Sequence, residues 1–243
     1  MAHDALLETL GNSYHDIYMT QQDSPEGIEY FDFVMSEAHG LRIKKLMDKK
    51  AAGRKIIGSF CVFIPEEIVL AADAVLVGLC TGSDFAMEEV ERLLPRNTCS
   101  LIKSAFGFNL GKVCPYLESA DMIVGEESCI GERGTRNLTD DSASTVDELM
   151  EAIVDRYFKV DCAIFTPNPD RLNHIEEMVK TYKADGIIHY GLQFCQPYLM
   201  ESMSVEKSLE AKNIPMLRLE TDYSMEDAEQ LRTRVEAFME VIR

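Results

Sequence analysis

Several signatures that commonly assign a chain to a class of proteins are missing from this sequence. Its 243 residues contain no run of 18 apolar residues, the length that a membrane-spanning helix requires. The first residues also lack the basic segment and the apolar stretch of a secretory signal. We therefore expect a cytoplasmic protein that has no membrane partner.

The common nucleotide-binding and hydrolase motifs are missing as well. No predicted strand is followed by G-x-G-x-x-G, and neither G-x-x-x-x-G-K-[ST] nor G-x-S-x-G occurs. No C-x-x-C pair occurs, which argues against a zinc ribbon and against a ferredoxin-type cluster. The sequence thus argues against a nucleotide site and against a serine nucleophile in this chain.

What the chain does have is an excess of acidic residues and an odd number of cysteines. The 42 acidic and 24 basic residues give a net charge of −18, whereas a nucleic-acid-binding surface is basic, so we predict no nucleic-acid partner. An odd number of cysteines in a chain without a signal argues against a disulfide framework, and metal binding or simple burial explains them better. The seven are Cys61, Cys80, Cys99, Cys114, Cys129, Cys162 and Cys195.

Hydrophobic patterning predicts an α/β protein with parallel sheets flanked by helices. Short apolar runs alternate with segments of helical periodicity, as they do in βαβ units. We predict two Rossmann-like or flavodoxin-like lobes: residues 1–125 hold an N-terminal helical arm and the first lobe, and residues 126–243 hold the second. The predicted strands cover residues 55–61, 74–79, 120–124, 161–165, 186–195 and 215–219.

One structural unit occurs twice in this pattern: a strand, a cysteine at its end, and a proline where a helix begins. The first copy lies in residues 55–70 and contains Cys61, and the second lies in residues 186–203 and contains Cys195. A thiol in this place faces the backbone N–H groups and the positive end of a helix dipole. Both favour the thiolate, so the repeated unit indicates a site.

Two further cysteines have related positions. Cys129 follows the third predicted strand, and Cys99 begins a predicted helix for which Thr98 is the candidate N-cap. Ligands collect at the carboxyl ends of parallel strands, so Cys61, Cys99, Cys129 and Cys195 would converge on one crevice. The residues alone leave two interpretations open, namely metal ligation and four buried structural thiols.

Two polar residues near these cysteines are candidates for catalysis. Glu126 lies three residues before Cys129 and either moves protons or solvates a loop. His189 lies within the strand that leads to Cys195, where it is either an acid–base catalyst or a core residue beside the site. The remaining cysteines, at positions 80, 114 and 162, are predicted to be core residues or neighbours of the site.

Longer stretches carry a family resemblance. The segments PEEIVLAAD, ADMIVGEESC, GERGTRNL and HYGLQFCQPYLMES resemble the 2-hydroxyacyl-CoA dehydratase family, which includes benzoyl-CoA reductase subunits and double-cubane-cluster reductases. GEESCIGERGTRNL and HYGLQFCQPYLMES resemble the double-cubane branch most. The resemblance extends from about residue 27 to residue 243.

The resemblance implies oxygen-sensitive iron–sulfur chemistry. In this family an ATP-hydrolysing iron–sulfur activator protein supplies a low-potential electron, and the substrate is an acyl-CoA or another small molecule. Dehydratase members form a ketyl radical and eliminate water from a 2-hydroxyacyl-CoA, whereas double-cubane members hold an [8Fe-9S] cluster and reduce small molecules. The family's ligand positions match Cys61, Cys99, Cys129 and Cys195 of this chain.

The middle of the chain departs from the family pattern. Cys129 matches a ligand of the family's N-terminal half and also a ligand of its C-terminal half. This chain therefore has four candidate ligands where the family has six. One [4Fe-4S] cluster on Cys61, Cys99 and Cys129 is then the alternative to a complete double cubane, with Cys195 as a fourth ligand or without a role. The incomplete ligand set also leads us to predict a homodimer.

The sequence therefore predicts an iron–sulfur reductase component of the double-cubane type. Three alternatives stay open at this point: a 2-hydroxyacyl-CoA dehydratase subunit, a non-catalytic iron–sulfur carrier, and a metal-free α/β remnant with buried thiols.

Overall fold

The strands of the protein are parallel and form two sheets, each flanked by helices. A computed structural model describes residues 27–36, 42–60, 64–79, 82–125, 138–224 and 226–242. Within these residues one sheet has three strands and the other has two. The predicted α/β class with two Rossmann-like lobes is confirmed, while the boundary between residues 125 and 126 stays a prediction.

The first sheet has the strand order β2-β1-β3. Its central strand is the most buried of the three, and Ile56 at its start is fully buried. Gly58 lies where a side chain would collide with Leu79, since an added Cβ would come within 2.6 Å of the Leu79 Cδ1. The elements of this lobe are α1 (Ile28–Ser36), α2 (Arg42–Ala51), β1 (Ile56–Ser59), α3 (Glu66–Ala71), β2 (Val75–Gly78), α4 (Met87–Glu91), α5 (Ser100–Leu110), α6 (Pro115–Ser119) and β3 (Met122–Val124).

The second sheet is a single parallel pair, β4 with β5, in a register that runs from Ile187 opposite Met216 to Leu192 opposite Thr221. The connecting helix packs on the pair with Val205 and Leu209, each only 1% exposed. A parallel pair needs such a crossover because a short turn cannot return the chain to the same end. The elements are α7 (Val146–Phe158), α8 (Pro169–Tyr182), β4 (Ile187–Leu192), α9 (Gln196–Glu210), β5 (Met216–Thr221) and α10 (Ala228–Val241).

The strand predicted at residues 161–165 was wrong, because this segment forms turns. Side chains from the start of the following helix donate hydrogen bonds to the backbone carbonyls of this segment. The Asn168 Nδ2 donates to the Cys162 carbonyl at 3.0 Å, and the Arg171 guanidinium donates to the Asp161 carbonyl at 2.6 Å. The segment is apolar and buried like a strand, so its pattern could not be distinguished from one.

A polar cluster joins the first lobe to α7. The Glu67 carboxylate accepts hydrogen bonds from Thr139 and from Tyr157, the latter at 3.1 Å, and it forms an ion pair with Arg156. The Tyr157 hydroxyl in turn accepts the backbone N–H of Glu66 at 2.9 Å, so α7 caps the start of α3. Although burial raises the pKa of Glu67, these hydrogen bonds outweigh it and lower that pKa below its ordinary 4.5. The carboxylate is therefore bound as an anion.

We expect the Glu67→Gln protein to be less stable than the wild type by about 1–2 kcal/mol at pH 7, the size of a hydrogen-bonded charge. The pKa of Glu67 is lower in the folded protein, so its stabilisation is complete above the unfolded pKa of 4.5 and is lost as the pH falls through the folded value. The difference between the two proteins should thus shrink below about pH 4.5. Urea unfolding followed by circular dichroism at several pH values measures it.

The control for this prediction is Asp48→Asn. Asp48 pairs with Lys44 at 2.9 Å, but both side chains are mostly exposed, so we expect a loss of no more than about 0.5 kcal/mol. A Glu67→Gln difference that grew on acidification would contradict the bound-anion interpretation.

Candidate functional site

The site is built where the end of β4 meets the start of α5. Cys195 is the N-cap residue of α9, and Pro197 lies in the first turn of that helix, as the repeated strand–cysteine–proline unit predicted. Cys99 is the N-cap residue of α5, so the prediction of Thr98 at this position was wrong by one residue. Both thiols therefore stand at helix N-termini.

Backbone contacts hold the two helix starts together. The Ser100 N–H donates to the Gln193 carbonyl at 3.2 Å, and the Ser100 hydroxyl lies 3.4 Å from the same oxygen. The thiol of Cys195 then donates a hydrogen bond to the Cys99 sulfur. Two cysteines that are 96 positions apart in the sequence, one from each lobe, are thus in contact.

The pKa of Cys99 shows what this contact does. The hydrogen bond from Cys195 lowers the pKa of Cys99 to about 6; burial opposes this effect, and the N–H groups of Leu101 and Ile102 add to it. The contact therefore favours a thiolate within this pair of cysteines. Thiolates at helix N-termini are nucleophiles and ligands for soft metal ions.

The buried cysteines elsewhere behave differently. Cys114 and Cys162 are each 6% exposed, and burial raises the pKa of Cys114 although it also stands at a helix N-cap. The prediction that these two are core residues is confirmed. Position at a helix start is thus not sufficient for a thiolate, and the neighbouring thiol makes the difference at Cys99.

Sequence reasoning missed a residue next to the thiol pair. Lys103 lies one turn into α5, is 7% exposed, and forms an ion pair with Glu91 at 2.7 Å. Its ammonium is 5.6 Å from the centre of the Phe194 ring, and Phe194 directly precedes Cys195. The available signal was a single lysine within the otherwise uncharged stretch SLIKSAFGF.

The other predicted site residues are outside what the structure describes. Cys61, Cys129 and Glu126 fall in the gaps at residues 61–63 and 126–137, so their roles stay predictions. The residues that lead into both gaps are adjacent, since the Phe60 N–H donates to the Val124 carbonyl at 3.2 Å. Within the described ranges, no three His, Cys, Asp or Glu side chains are grouped as a metal site.

His189 is a packed residue of the second lobe. It is 5% exposed and stacks on Tyr198 with ring centres 4.3 Å apart, and the Arg171 guanidinium lies 4.9 Å from the centre of the same Tyr198 ring. Burial, and then the charge of Arg171, lower the pKa of His189, which favours a neutral imidazole. Its side chain borders a cavity of about 380 Å³ between α8, β4 and α9. A catalytic role for His189 stays a prediction.

Comparison with known proteins now adds the family. The profile described as "2-hydroxyglutaryl-CoA dehydratase, D-component" matches residues 61–131 and 111–242. Together the two matches cover about three quarters of the chain. This chain belongs to that family. The two matches share residues 111–131, the stretch that contains Cys129, as expected if one element stands where longer members have two.

Three relatives with known names are similar to this chain. YjiM of Escherichia coli (strain K12), provisionally named as a dehydratase subunit, is 23% identical over 369 residues, which include 85% of this chain and 96% of the relative. The (R)-phenyllactyl-CoA dehydratase beta subunit of Clostridium sporogenes is 35% identical over 49% of the chain and 31% of its own length. The (R)-2-hydroxyglutaryl-CoA dehydratase beta subunit of Acidaminococcus fermentans is 25% identical over 58% and 38%.

The chain spans only about a third of the length of the two beta subunits. Against YjiM, 85% of 243 residues, or about 207, is spread over 369, so about 160 positions of the relative have no counterpart here. In the described part of the chain, no helix is both long and apolar enough to cross a membrane.

Proposed function

We propose that the protein is a component of a 2-hydroxyacyl-CoA dehydratase, an enzyme that eliminates water from an acyl-CoA thioester. The observation that carries the proposal is the contact between Cys99 and Cys195, in a chain that belongs to this family. The relatives whose names state a substrate are beta subunits of dehydratases. They favour the dehydratase over the double-cubane reductase that the sequence led us to predict.

The thiol pair fits an iron–sulfur cluster in its donor chemistry. Two soft sulfur donors are in contact, the pKa of Cys99 favours the thiolate, and the N–H groups of Leu101 and Ile102 lie next to the Cys99 sulfur. We propose that Cys99 and Cys195 hold the cluster together with Cys61 and Cys129, as a [4Fe-4S] or an [8Fe-9S] centre. When bound, such a cluster would supply a single electron to the substrate.

The protein's own residues contribute electrostatics and position. Cys99 and Cys195 are the N-cap residues of α5 and α9, and the partial positive charge of a helix N-terminus stabilises negative charge near it. The bonds between Ser100 and Gln193 fix the two helix starts. We propose that these bonds keep the sulfurs of Cys99 and Cys195 in the same relative position while the charge of the site changes.

We propose three kinds of partner for the protein. An ATP-hydrolysing iron–sulfur activator delivers the electron, and a 2-hydroxyacyl-CoA is the substrate. A second copy of the chain, or another subunit, completes the catalytic unit, because the chain matches only about a third of each named beta subunit.

The test begins with purification without oxygen and measurement of iron and acid-labile sulfide per chain, followed by an EPR spectrum of the reduced protein. The protein is then mixed with ATP, a low-potential reductant such as dithionite, a family activator and either (R)-2-hydroxyglutaryl-CoA or (R)-phenyllactyl-CoA, the substrates in the relatives' names. Formation of the unsaturated acyl-CoA, measured by liquid chromatography, supports the proposal.

The other outcomes separate the alternatives. Reduction of a small molecule by the same reductant and activator, without water elimination, would replace the dehydratase by the double-cubane reductase. Bound iron without either reaction would leave an iron–sulfur carrier. Absence of iron after reconstitution would overturn the proposal.

A further inference from the structure

A buried positive charge lies on the helix that begins at Cys99 and near the ring of Phe194, the residue that precedes Cys195. Lys103 has an 8% exposed side chain, and its ammonium is held by the Glu91 carboxylate at 2.7 Å. The charge of Lys103 also lowers the pKa of Glu91. Removing an ammonium from water is unfavourable even when it is paired, so conventional packing would favour an apolar residue here. The burial therefore calls for a specific explanation.

Lys103 touches the chain segments that carry both thiols. Its backbone N–H donates to the Cys99 carbonyl at 3.0 Å, in the first turn of α5. Its ammonium lies 5.6 Å from the ring centre of Phe194, within the range of a cation–π contact. One side chain thus connects the helix that begins at Cys99 with the residue that precedes Cys195.

Phe194 has a backbone conformation that bulky residues avoid. Its φ of +65° lies in the left-handed region, which is unfavourable for a residue with a large side chain. Hydrogen bonds on both sides form this turn: the Gln193 N–H donates to the Thr221 carbonyl at 2.8 Å, and the Cys195 N–H donates to the Leu192 carbonyl at 3.0 Å. The turn sets the direction in which the chain continues from β4 to Cys195.

We propose that Lys103 is a positioning residue that holds the Cys195 thiol against Cys99 by fixing the Phe194 turn. The ammonium attracts the Phe194 ring, Glu91 keeps the ammonium in place, and the left-handed turn then points Cys195 at Cys99. The importance of this role for catalysis rests on the proposed function. The geometric role itself does not, and it can be measured without iron.

The test uses the full-length iron-free protein and the Lys103→Met variant in glutathione redox buffers. Oxidised glutathione takes up two electrons and two protons as the Cys99 and Cys195 thiols form a disulfide, and two reduced glutathiones result. The equilibrium, followed by peptide mass spectrometry, gives the effective concentration of one thiol at the other. We expect this effective concentration to be about tenfold lower in Lys103→Met than in the wild type, which is the scale of a desolvated cation–π contact.

The conservative and control variants separate positioning from general stability. Lys103→Arg keeps the charge and the ring contact, and it should recover most of the effective concentration. Lys44→Met, which removes an exposed lysine paired with Asp48, should leave it unchanged. The thermal unfolding temperature of Lys103→Met should stay near that of the wild type, because an apolar side chain suits a buried position and the Glu91 side chain, 40% exposed, stays in contact with water.

A double-mutant comparison tests the route through Phe194. Glycine adopts a positive φ without strain, so in a Phe194→Gly background the Lys103→Met change should have little effect. An unchanged disulfide equilibrium in folded Lys103→Met protein would overturn the proposal, as would an equal loss in both backgrounds. Neither result depends on iron, so failure here is distinct from failure of the dehydratase proposal.

Discussion

The Cys195→Ala protein, reconstituted with iron and sulfide in the absence of oxygen, is expected to lose most of the iron that the wild type binds. Cys195 shares a hydrogen bond with Cys99, and removing it takes away one of the two described sulfur donors. It also removes the interaction that contributes most to lowering the pKa of Cys99. The remaining thiol is then protonated more readily and binds iron less tightly, since metals require the thiolate.

Iron and acid-labile sulfide per chain, with the visible absorption of the cluster, measure this loss. Cys99→Ala should behave like Cys195→Ala. Cys162→Ala is the matched control, because Cys162 is 6% exposed and was predicted as a core residue without a role in binding. Equal iron contents in all three variants would contradict the assignment of Cys99 and Cys195 as ligands.

A second large effect is expected at Gly107 in the middle of α5. Alanine normally favours a helix over glycine by about 1 kcal/mol, so helix propensity alone predicts stabilisation. Here an added Cβ would lie 2.0 Å from the Phe85 carbonyl oxygen, a backbone atom that a side-chain rotation cannot move away. Overpacking of this kind is unfavourable by about 1–3 kcal/mol and more where the backbone must shift. We therefore expect Gly107→Ala to be destabilised by about 2 kcal/mol or more.

Urea unfolding of the iron-free proteins, followed by circular dichroism, measures the difference. Gly125→Ala is the control, because no described atom lies within 4 Å of its added Cβ. We expect that variant to be within about 0.5 kcal/mol of the wild type. A more stable Gly107→Ala protein would mean that α5 does not pack closely against Phe85, and the placement of Cys99 at its N-terminus would then need revision.

The fold was predictable from sequence where apolar periodicity and turn residues agree. The strands β4 and β5 are short, largely apolar runs between helical segments, and both occur where they were predicted, with ends that differ by up to three residues. The conformation of residues 161–165 could not be predicted from apolar periodicity, because an apolar run that is buried as turns has the same composition as a buried strand. The side chains of Asn168 and Arg171 donate hydrogen bonds to its carbonyls, and the Phe165 N–H donates to the Cys162 carbonyl at 3.1 Å, as in a turn.

The site was predictable in its residue types and not in its detailed geometry. The strand–cysteine–proline unit located Cys195 because it depends on local sequence. The contact of Cys195 with Cys99 depends on how two lobes pack, and local periodicity carries no information on that. Lys103 was missed for the same reason, since its partners Glu91 and Phe194 lie in other elements. The ligand assignment for Cys61 and Cys129 rests on their positions after predicted strands and on the family resemblance.

The division of the thiol pair between the lobes links binding to mechanics. Cys99 belongs to a helix that packs in the first lobe, and Cys195 follows a strand of the second. Any ligand that binds both sulfurs therefore joins the two lobes, and any movement that separates the lobes weakens the binding of that ligand. The work needed to pull the lobes apart should thus rise with the concentration of that ligand, by the mass-action relation that couples binding to stability.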